Sequence, residues 1–273
     1  MTDKYAVIGN PIGHTKSPMI HGSFAKDTGQ DIDYVAIEGS LEHFADDVHA
    51  FRKAGGLGMN VTAPFKLQAF ALATERLERA ELAGATNALK FEGDRIIADN
   101  FDGVGLTNDI QRNLGFALKG ARMLVLGAGG AVRGALLPFL AQQPELLVLA
   151  NRTESKASDL ATQLGAHGRV HSCSYGDLAR ERFDIVINGT SASLKAELPP
   201  VPAVALRNAK LAYELAYGKG LTPFLRLAHN AGVPKLADGV GMLVEQAAEA
   251  FVWWRGVRPD TRAVIDRMTI PLV

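Results

Sequence analysis

The clearest chemistry in this chain sits in a run of glycines. Leu124-Val125-Leu126 reads as a buried strand, Gly127-Ala128-Gly129-Gly130-Ala131 as a tight turn, and Val132 to Gln142 as a helix. Glycines there permit the turn and let backbone N–H groups approach a pyrophosphate, which then lies at the positive end of the helix. Strand, loop and helix in that order predict a nucleotide site, a plain structural turn being the alternative. The strict Gly-x-Gly-x-x-Gly fingerprint fails at its third position, where Val132 stands. The next strand leads into Asn151-Arg152-Thr153-Glu154-Ser155-Lys156. An NAD site usually carries an acid about 20 residues beyond the first glycine, to hold the ribose hydroxyls. Here Arg152 offers a fork of donors to a 2′-phosphate, Thr153 adds a hydroxyl, and Lys156 follows one helical turn later. NADP is therefore expected in preference to NAD; an ordinary helix start capped by Thr153 is the competing explanation.

Three more polar clusters fall where strands of the first half are expected to end. In Asn10-Pro11-Ile12-Gly13-His14-Thr15-Lys16-Ser17-Pro18 the hydroxyls of Thr15 and Ser17 stand beside a helix start and can receive a carboxylate. Ser17 acting only as an N-cap fits that stretch equally well. In Asn60-Val61-Thr62-Ala63-Pro64-Phe65-Lys66 a lysine enters the first turn of a helix against its macrodipole, which singles out Lys66. Thr86-Asn87 and Asn100-Phe101-Asp102-Gly103 pair across a hairpin turned by Glu92-Gly93-Asp94.

The elements that must position these residues follow an α/β pattern of short apolar runs alternating with amphipathic stretches. Strands are expected at Tyr5–Gly9, Tyr34–Glu38, Leu57–Thr62, Asn87–Phe91 and Arg95–Asp99. Helices are expected from Ser17 to about Thr28, over Leu41–Ala54, and consecutively over Pro64–Ala73 and Glu75–Leu82. Beyond Gly103 the spacing becomes regular β-α-β, with strands at Leu146–Ala150, Ile185–Asn188 and Leu211–Leu215 and a helix at Glu154–Leu164. That half predicts a parallel sheet with crossover helices. A last long helix covers Met242–Trp254, its Trp253-Trp254 pair anchoring it to a core.

Composition narrows the class. At roughly 150 residues per domain, 273 residues suggest two domains. Lys+Arg and Asp+Glu both number 29, so no global field exists to hold nucleic acid or an anionic membrane. Cys173 is the single cysteine, which rules out an intramolecular disulfide and predicts a small buried apolar side chain. The seven histidines form no metal pattern, His14 and His21 being expected to pack or cap. No signal-peptide core or long apolar span is read, so a cytoplasmic protein working on small molecules, as monomer or homodimer, is expected.

The motifs also resemble those of the shikimate dehydrogenase family, in order. Asn10-Pro-Ile-x-His-x-Lys-Ser-Pro18, Asn60-Val-Thr-x-Pro-x-Lys66, Gly84-Ala-x-Asn87, Asp99-Asn-x-Asp-Gly103, Gly127-Ala-Gly-Gly-Ala131 and Asn151-Arg-Thr153 carry the resemblance. Asn188-Gly-Thr-Ser191, Tyr217 and Asp238-Gly-Val-Gly-Met-Leu-Val-Glu-Gln246 complete it, from about Tyr5 to Trp254. The resemblance implies an α/β fold of two domains. One is a substrate domain with a mixed sheet, from 1–102 plus 239–273; the other is a Rossmann-type NADP domain, from 103–238. It implies NADP-linked reduction of 3-dehydroshikimate to shikimate, with Lys66 and Asp102 as the catalytic pair. Thr15 and Ser17 would hold the substrate carboxylate, while Thr62, Asn87, Tyr217 and Gln246 contact ring hydroxyls and carboxylate. Gly127, Ala128, Gly129, Gly130 and Ala131 would form the pyrophosphate loop, and Asn151, Arg152, Thr153 and Lys156 the adenosine-phosphate cluster. Thr190, Gly239 and Met242 fall in the remaining cofactor motifs, and no metal is implied.

The chain departs from the family pattern at several of these places. Thr15 stands for serine, Phe101 and Ala88 for threonines, Glu214 for aspartate and Lys219 for proline, while Gly189 and Ser193 alter the segment after Asn188. Such changes bear on the exact substrate more than on the fold. A paralogue acting on quinate or a related hydroxylated cyclic acid is one alternative. A non-catalytic nucleotide sensor is another, although a sensor needs no lysine–aspartate pair.

Overall fold

A computed structural model describes residues 2–272, which divide into two α/β units. The first comprises residues 2–105 and Leu243–Arg267, the second Leu106–Met242 and residues 268–272. The expected division put the entire tail in the first unit. The end of the tail joins the second instead, because Leu272 packs against that unit's core.

The first unit runs β1 (Asp3–Gly9), α1 (Ser17–Thr28), β2 (Ile32–Glu38), α2 (Phe44–Lys53), β3 (Gly56–Val61), α3 (Lys66–Leu72), β4 (Glu75–Arg76), α4 (Glu78–Ala83), β5 (Ala88–Glu92) and β6 (Arg95–Asp99). Its sheet is mixed, in the order β2-β1-β3-β5-β6-β4. Strand β1 lies parallel to both neighbours, whereas β5 runs antiparallel to β3 and β6. A central strand covered on both faces reads as unbroken apolar residues, which is how Tyr5 to Ile8 are placed. Gly93 closes the β5–β6 hairpin at φ +57°, a left-handed conformation that favours glycine.

Two expected helices are corrected here. The stretch Glu75–Leu82 has helical spacing, yet Thr74 exchanges hydrogen bonds with Ile96 and draws Glu75–Arg76 into β4 beside β6. Helix α4 begins only at Glu78. Helix α3 likewise starts at Lys66 rather than at Pro64.

Helix α5 (Asp102–Asn108), which continues into a π turn at Asp109–Asn113, carries the chain at Leu106 from the first unit into the second. There β7 (Arg122–Leu126), α6 (Gly130–Ala141), β8 (Leu146–Ala150), α7 (Glu154–Leu164), β9 (Val170–Cys173), β10 (Ile185–Asn188), β11 (Leu211–Glu214), α8 (Pro223–Asn230) and β12 (Lys235–Ala237) follow. The sheet is wholly parallel, ordered β12-β11-β10-β7-β8-β9. That is the doubly wound order, whose direction reverses between β7 and β10, and sheets of this order bind ligands at the carboxyl ends of the strands flanking that switch point. Alternation supplies two cores. Met123, Val125, Leu147 and Ile187 face one side, and Leu124, Leu126, Val148 and Val186 the other. The edge strands β9 and β12, short and partly polar, go unread in the sequence, as do helices α5 and α8.

Helix α9 (Val240–Arg255) carries the paired tryptophans and precedes α10 (Arg262–Met268). Trp254 stacks on Tyr5 with ring centroids 4.8 Å apart and donates its Nε1–H to the Leu89 carbonyl at 3.1 Å. Gly58 gives it room: a Cβ there would lie 2.5 Å from Trp254 Nε1. Cys173 is half-buried rather than enclosed, and burial, with Asp177, Glu181 and Glu154 adding to it, pushes its thiol up to about 11. No helix among the described residues is long and apolar enough to cross a membrane.

Candidate active site

Lys66 opens helix α3, where its charge opposes the helix dipole, and the compensation comes from another segment. Lys66 Nζ lies 2.5 Å from Asp102 Oδ2, at the start of α5. The other carboxylate oxygen, Oδ1, accepts Asn87 Nδ2–H at 2.8 Å. Both Asp102 oxygens are thus held, while the Lys66 side chain stays 32% exposed and Asp102 11%. An ammonium so placed keeps N–H groups free for a ligand.

The orientation of Asn87 is settled by its surroundings. Its Oδ1 accepts the Phe101 backbone N–H at 2.9 Å, so Nδ2 must face Asp102 and also Gln246 Oε1, at 3.1 Å. Gln246 comes close because Gly105 lacks a side chain: a Cβ there would lie 2.6 Å from the Gln246 backbone nitrogen. Lys66, Asp102, Asn87 and Gln246 therefore form one hydrogen-bonded cluster. Asp102 is set on its turn by Asn100, whose Oδ1 accepts the Asp102 N–H at 3.1 Å, and by a buried Asp99 ion-paired with Arg79.

Ser17 does not cap α1. Lys16 occupies the N-cap place without a side-chain bond, and Ser17 is the first helical residue. Thr15 Oγ1 instead accepts the Ser17 N–H and donates to Ser17 Oγ, both at 3.3 Å. The Ser17 hydroxyl also borders Tyr34, whose own hydroxyl donates to Asn60 Oδ1 at 2.7 Å; Asn60 Nδ2 passes the contact to the Asn87 carbonyl at 3.2 Å. Burial pushes the Tyr34 hydroxyl well above a tyrosine's usual range. Sequence reasoning missed Tyr34, which carries no motif signal beyond its place on an ordinary strand. Thr62 lies at the end of β3, half-buried, its methyl filling the space a Gly9 side chain would need.

In the second unit, Gly127 takes φ +107°, and a Cβ there would sit 3.0 Å from the Gly189 carbonyl oxygen. A Cβ on Gly129 or Gly130 would meet nothing within 4 Å, so the loop before α6 is open and its first N–H groups are accessible. Ala128 lines the same turn as a small, mostly buried side chain, with Ala131 exposed in the helix's first turn. Asn151 Nδ2 donates to the Thr153 carbonyl at 2.8 Å, shaping the turn after β8. Thr153 is the N-cap residue of α7 but its side chain makes no cap bond, and Arg152 and Lys156 are exposed. Among the described residues neither cation forms an ion pair, unlike Arg79, Arg95, Arg122, Arg255 and Arg258. An open glycine cradle plus uncommitted cations fits a dinucleotide bearing an extra phosphate. Thr190 follows β10, Gly239 and Met242 flank the start of α9, and exposed Tyr217 follows β11. Tyr217 belongs to the second unit and the Lys66 cluster to the first.

Comparison with known proteins gives a consistent result. The family model for the shikimate dehydrogenase substrate binding domain matches residues 7–89, that for shikimate / quinate 5-dehydrogenase residues 109–196, and that for the shikimate 5′-dehydrogenase C-terminal domain residues 239–269. A protein of Nitrosospira multiformis named shikimate dehydrogenase (NADP(+)) is 54% identical over 268 residues, 98% of each chain. The chain belongs to the shikimate dehydrogenase family. Among solved structures, an Ael1 enzyme from Pseudomonas putida is 64% identical with a TM-score of 0.98, covering 100% of both chains. Shikimate 5-dehydrogenase from Thermus thermophilus, in complex with NADP(H) and shikimate, is 28% identical with a TM-score of 0.86 and covers 97% of this chain and 98% of its own.

Several of the residues read as departures from the shikimate dehydrogenase pattern turn out to be paired. Ala88 and Phe101 pack in one small cluster with Ala250, the small residue beside the large one. Ser193 donates to Glu214. A Cβ on Gly189 would fall within the contact radius of Val132 Cγ2, the residue that breaks the glycine fingerprint. Gly189→Ala is therefore expected to cost about 1–3 kcal/mol in urea unfolding, the usual range for overpacking. In a Val132→Ala background that cost should at least halve; an undiminished cost would refute the pairing.

Proposed function

We propose that the protein catalyses the reversible NADP-linked reduction of 3-dehydroshikimate to shikimate, a step toward chorismate and the aromatic amino acids. The carrying observation is the Lys66–Asp102–Asn87 cluster in a chain 54% identical to a shikimate dehydrogenase (NADP(+)). Bound NADPH supplies the hydride to the ring carbonyl carbon. Lys66 Nζ donates a proton to the carbonyl oxygen as negative charge develops there, and its exposed face lets solvent return that proton. Asp102 anchors the ammonium and offers its oxygens to a ring hydroxyl, with Asn87 fixing the carboxylate plane. Thr15 and Ser17 take the substrate carboxylate, while Thr62, Tyr217 and Gln246 contact the ring hydroxyls and carboxylate.

Gly127, Ala128, Gly129, Gly130 and Ala131 would hold the pyrophosphate; Asn151, Arg152, Thr153 and Lys156 would hold the 2′-phosphate; Thr190, Gly239 and Met242 complete the cofactor contacts. With one unpaired thiol and small-molecule partners, the enzyme is assigned to the cytoplasm, as monomer or homodimer. A second reading, a related hydroxylated cyclic acid such as quinate, draws on one observation: the family model matching residues 109–196 is that of shikimate / quinate 5-dehydrogenase.

NADPH oxidation with 3-dehydroshikimate, compared with the quinate counterpart and with NADH, separates these readings. Faster turnover of the quinate counterpart selects the second, and no turnover with any pair removes both. In the same protein Arg152→Ala should weaken NADPH binding by about tenfold or more, with NADH changed by less than about twofold. Equal losses for both nucleotides would remove the 2′-phosphate role.

A further inference from the structure

The second unit contains a buried carboxylate that the mechanism above does not use. Glu214 ends β11 with no solvent exposure. Among the described residues it meets no cation; its partners are neutral donors. Glu214 Oε2 accepts Asn188 Nδ2–H at 2.9 Å, Thr222 Oγ1–H at 3.2 Å and the Ser193 hydroxyl, while Oε1 accepts the Ala216 N–H at 3.3 Å. Burial holds its carboxyl above the usual range, the hydrogen bonds pulling the other way.

The consequence runs through Asn188. With its amide nitrogen turned to Glu214 and Ser193, its Oδ1 points the opposite way. There it accepts both the backbone N–H of Thr190, at 3.1 Å, and the Thr190 hydroxyl, at 2.8 Å. Thr190 Oγ1 then accepts the Ala192 N–H at 3.3 Å. One carboxylate therefore fixes the loop after β10 along its length. That loop abuts the glycine turn, since a Cβ on Gly127 would lie 3.0 Å from Gly189 O and 3.3 Å from Thr190 N.

Sheet order says which part of a nucleotide this loop meets. Strand β8, leading to Arg152, lies on one side of β7, and β10 and β11 lie on the other. A dinucleotide with its pyrophosphate over β7 and its 2′-phosphate at Arg152 must extend its other half over the ends of β10 and β11. We infer that Glu214 is a positioning residue which, through Asn188, sets Thr190 against the half of the dinucleotide remote from Arg152, a role that rests on the nucleotide reading of the glycine turn.

Calorimetry with NADPH and with 2′,5′-ADP, which contains only the adenosine half, tests this together with amide exchange of the free protein. Glu214→Gln puts an N–H₂ group among donors. It should weaken NADPH about tenfold, leave 2′,5′-ADP within about twofold, and speed exchange at the Thr190 and Ala192 amides. Glu214→Asp should recover part of the loss. Ser193→Ala, which keeps the carboxylate and removes one donor, gives the same pattern more weakly and serves if Glu214→Gln does not fold. Equal weakening of both ligands, or NADPH affinity and exchange both unchanged, overturns the assignment. Native protein that binds neither ligand refutes the nucleotide reading instead, and the exchange rates then decide alone whether Glu214 fixes the loop.

Discussion

Lys66→Ala lowers kcat by about 10²-fold or more, the range expected when a proton donor is lost. Native and variant proteins should differ less than about twofold in NADPH affinity, because no glycine-turn or Arg152 contact is touched. The substitution removes the only cation on Asp102 among the described residues and leaves Asn87 as its remaining side-chain donor. Lys66→Arg keeps the charge but spreads it over a planar fork that cannot occupy the same point beside Asp102 Oδ2, so it should recover only a small part of the rate. Steady-state kinetics with 3-dehydroshikimate and NADPH, alongside calorimetric NADPH binding, measure both quantities. A Lys66→Ala enzyme that keeps more than about a tenth of the native kcat removes Lys66 from the chemistry.

The second large effect concerns stability. His21 is wholly buried, stacked on Tyr34 at 4.1 Å with 6° between the rings and edge-on to Phe24 at 5.9 Å. Neither ring nitrogen has a well-formed hydrogen bond among the described residues. Burial lowers its pKa from 6.5 to about 3, against a smaller opposing influence from Asn60. The unfolded chain binds a proton at this residue below pH 6.5 while the folded chain does not until about 3. Stability is therefore fully present above the unfolded value and is lost as pH falls through that window. The slope approaches about 1.4 kcal/mol per pH unit, and the full window is worth on the order of 4–5 kcal/mol. Urea unfolding at pH 7 and pH 5 should show the native protein losing about 2 kcal/mol more than His21→Phe. Identical losses would mean that another group sets the acid limit.

Legibility followed chemistry that is local in the chain. The glycine turn announced itself because strand, loop and helix are contiguous, and Lys66 because a cation at a helix start is locally unfavourable. Family motifs supplied the pairing of Lys66 with Asp102, which no local spacing contains. What stayed hidden depends on partners distant in sequence. Glu75–Arg76 looks helical until β6 is beside it. Ser17 is the local exception: it looks like a cap until its neighbour Thr15 takes the N–H. The departures are the instructive case. Read singly, Phe101, Ala88, Gly189, Ser193 and Glu214 looked like changes to a pocket. In three dimensions Phe101 fills space beside Ala88, Gly189 makes room for Val132, and Ser193 serves Glu214. Thr15 is itself a proposed substrate contact, and Lys219 lies two residues from another, Tyr217.

The Asn188-Gly189 step bears on how the molecule ages rather than on turnover. An asparagine followed by glycine ages when the glycine nitrogen attacks the side-chain carbonyl carbon, expels ammonia and closes a succinimide. Here the Gly189 nitrogen is committed to the Leu126 carbonyl at 2.9 Å, and the Asn188 amide is pinned between Glu214 and Thr190. Ageing must wait for the end of β10 to open, so local opening sets the molecule's chemical lifetime. The damage also persists. Water opens the succinimide at either carbonyl to isoaspartate or aspartate, and the new carboxyl would face Glu214, two carboxyls where the fold accommodates one, so the aged strand end could not close as before.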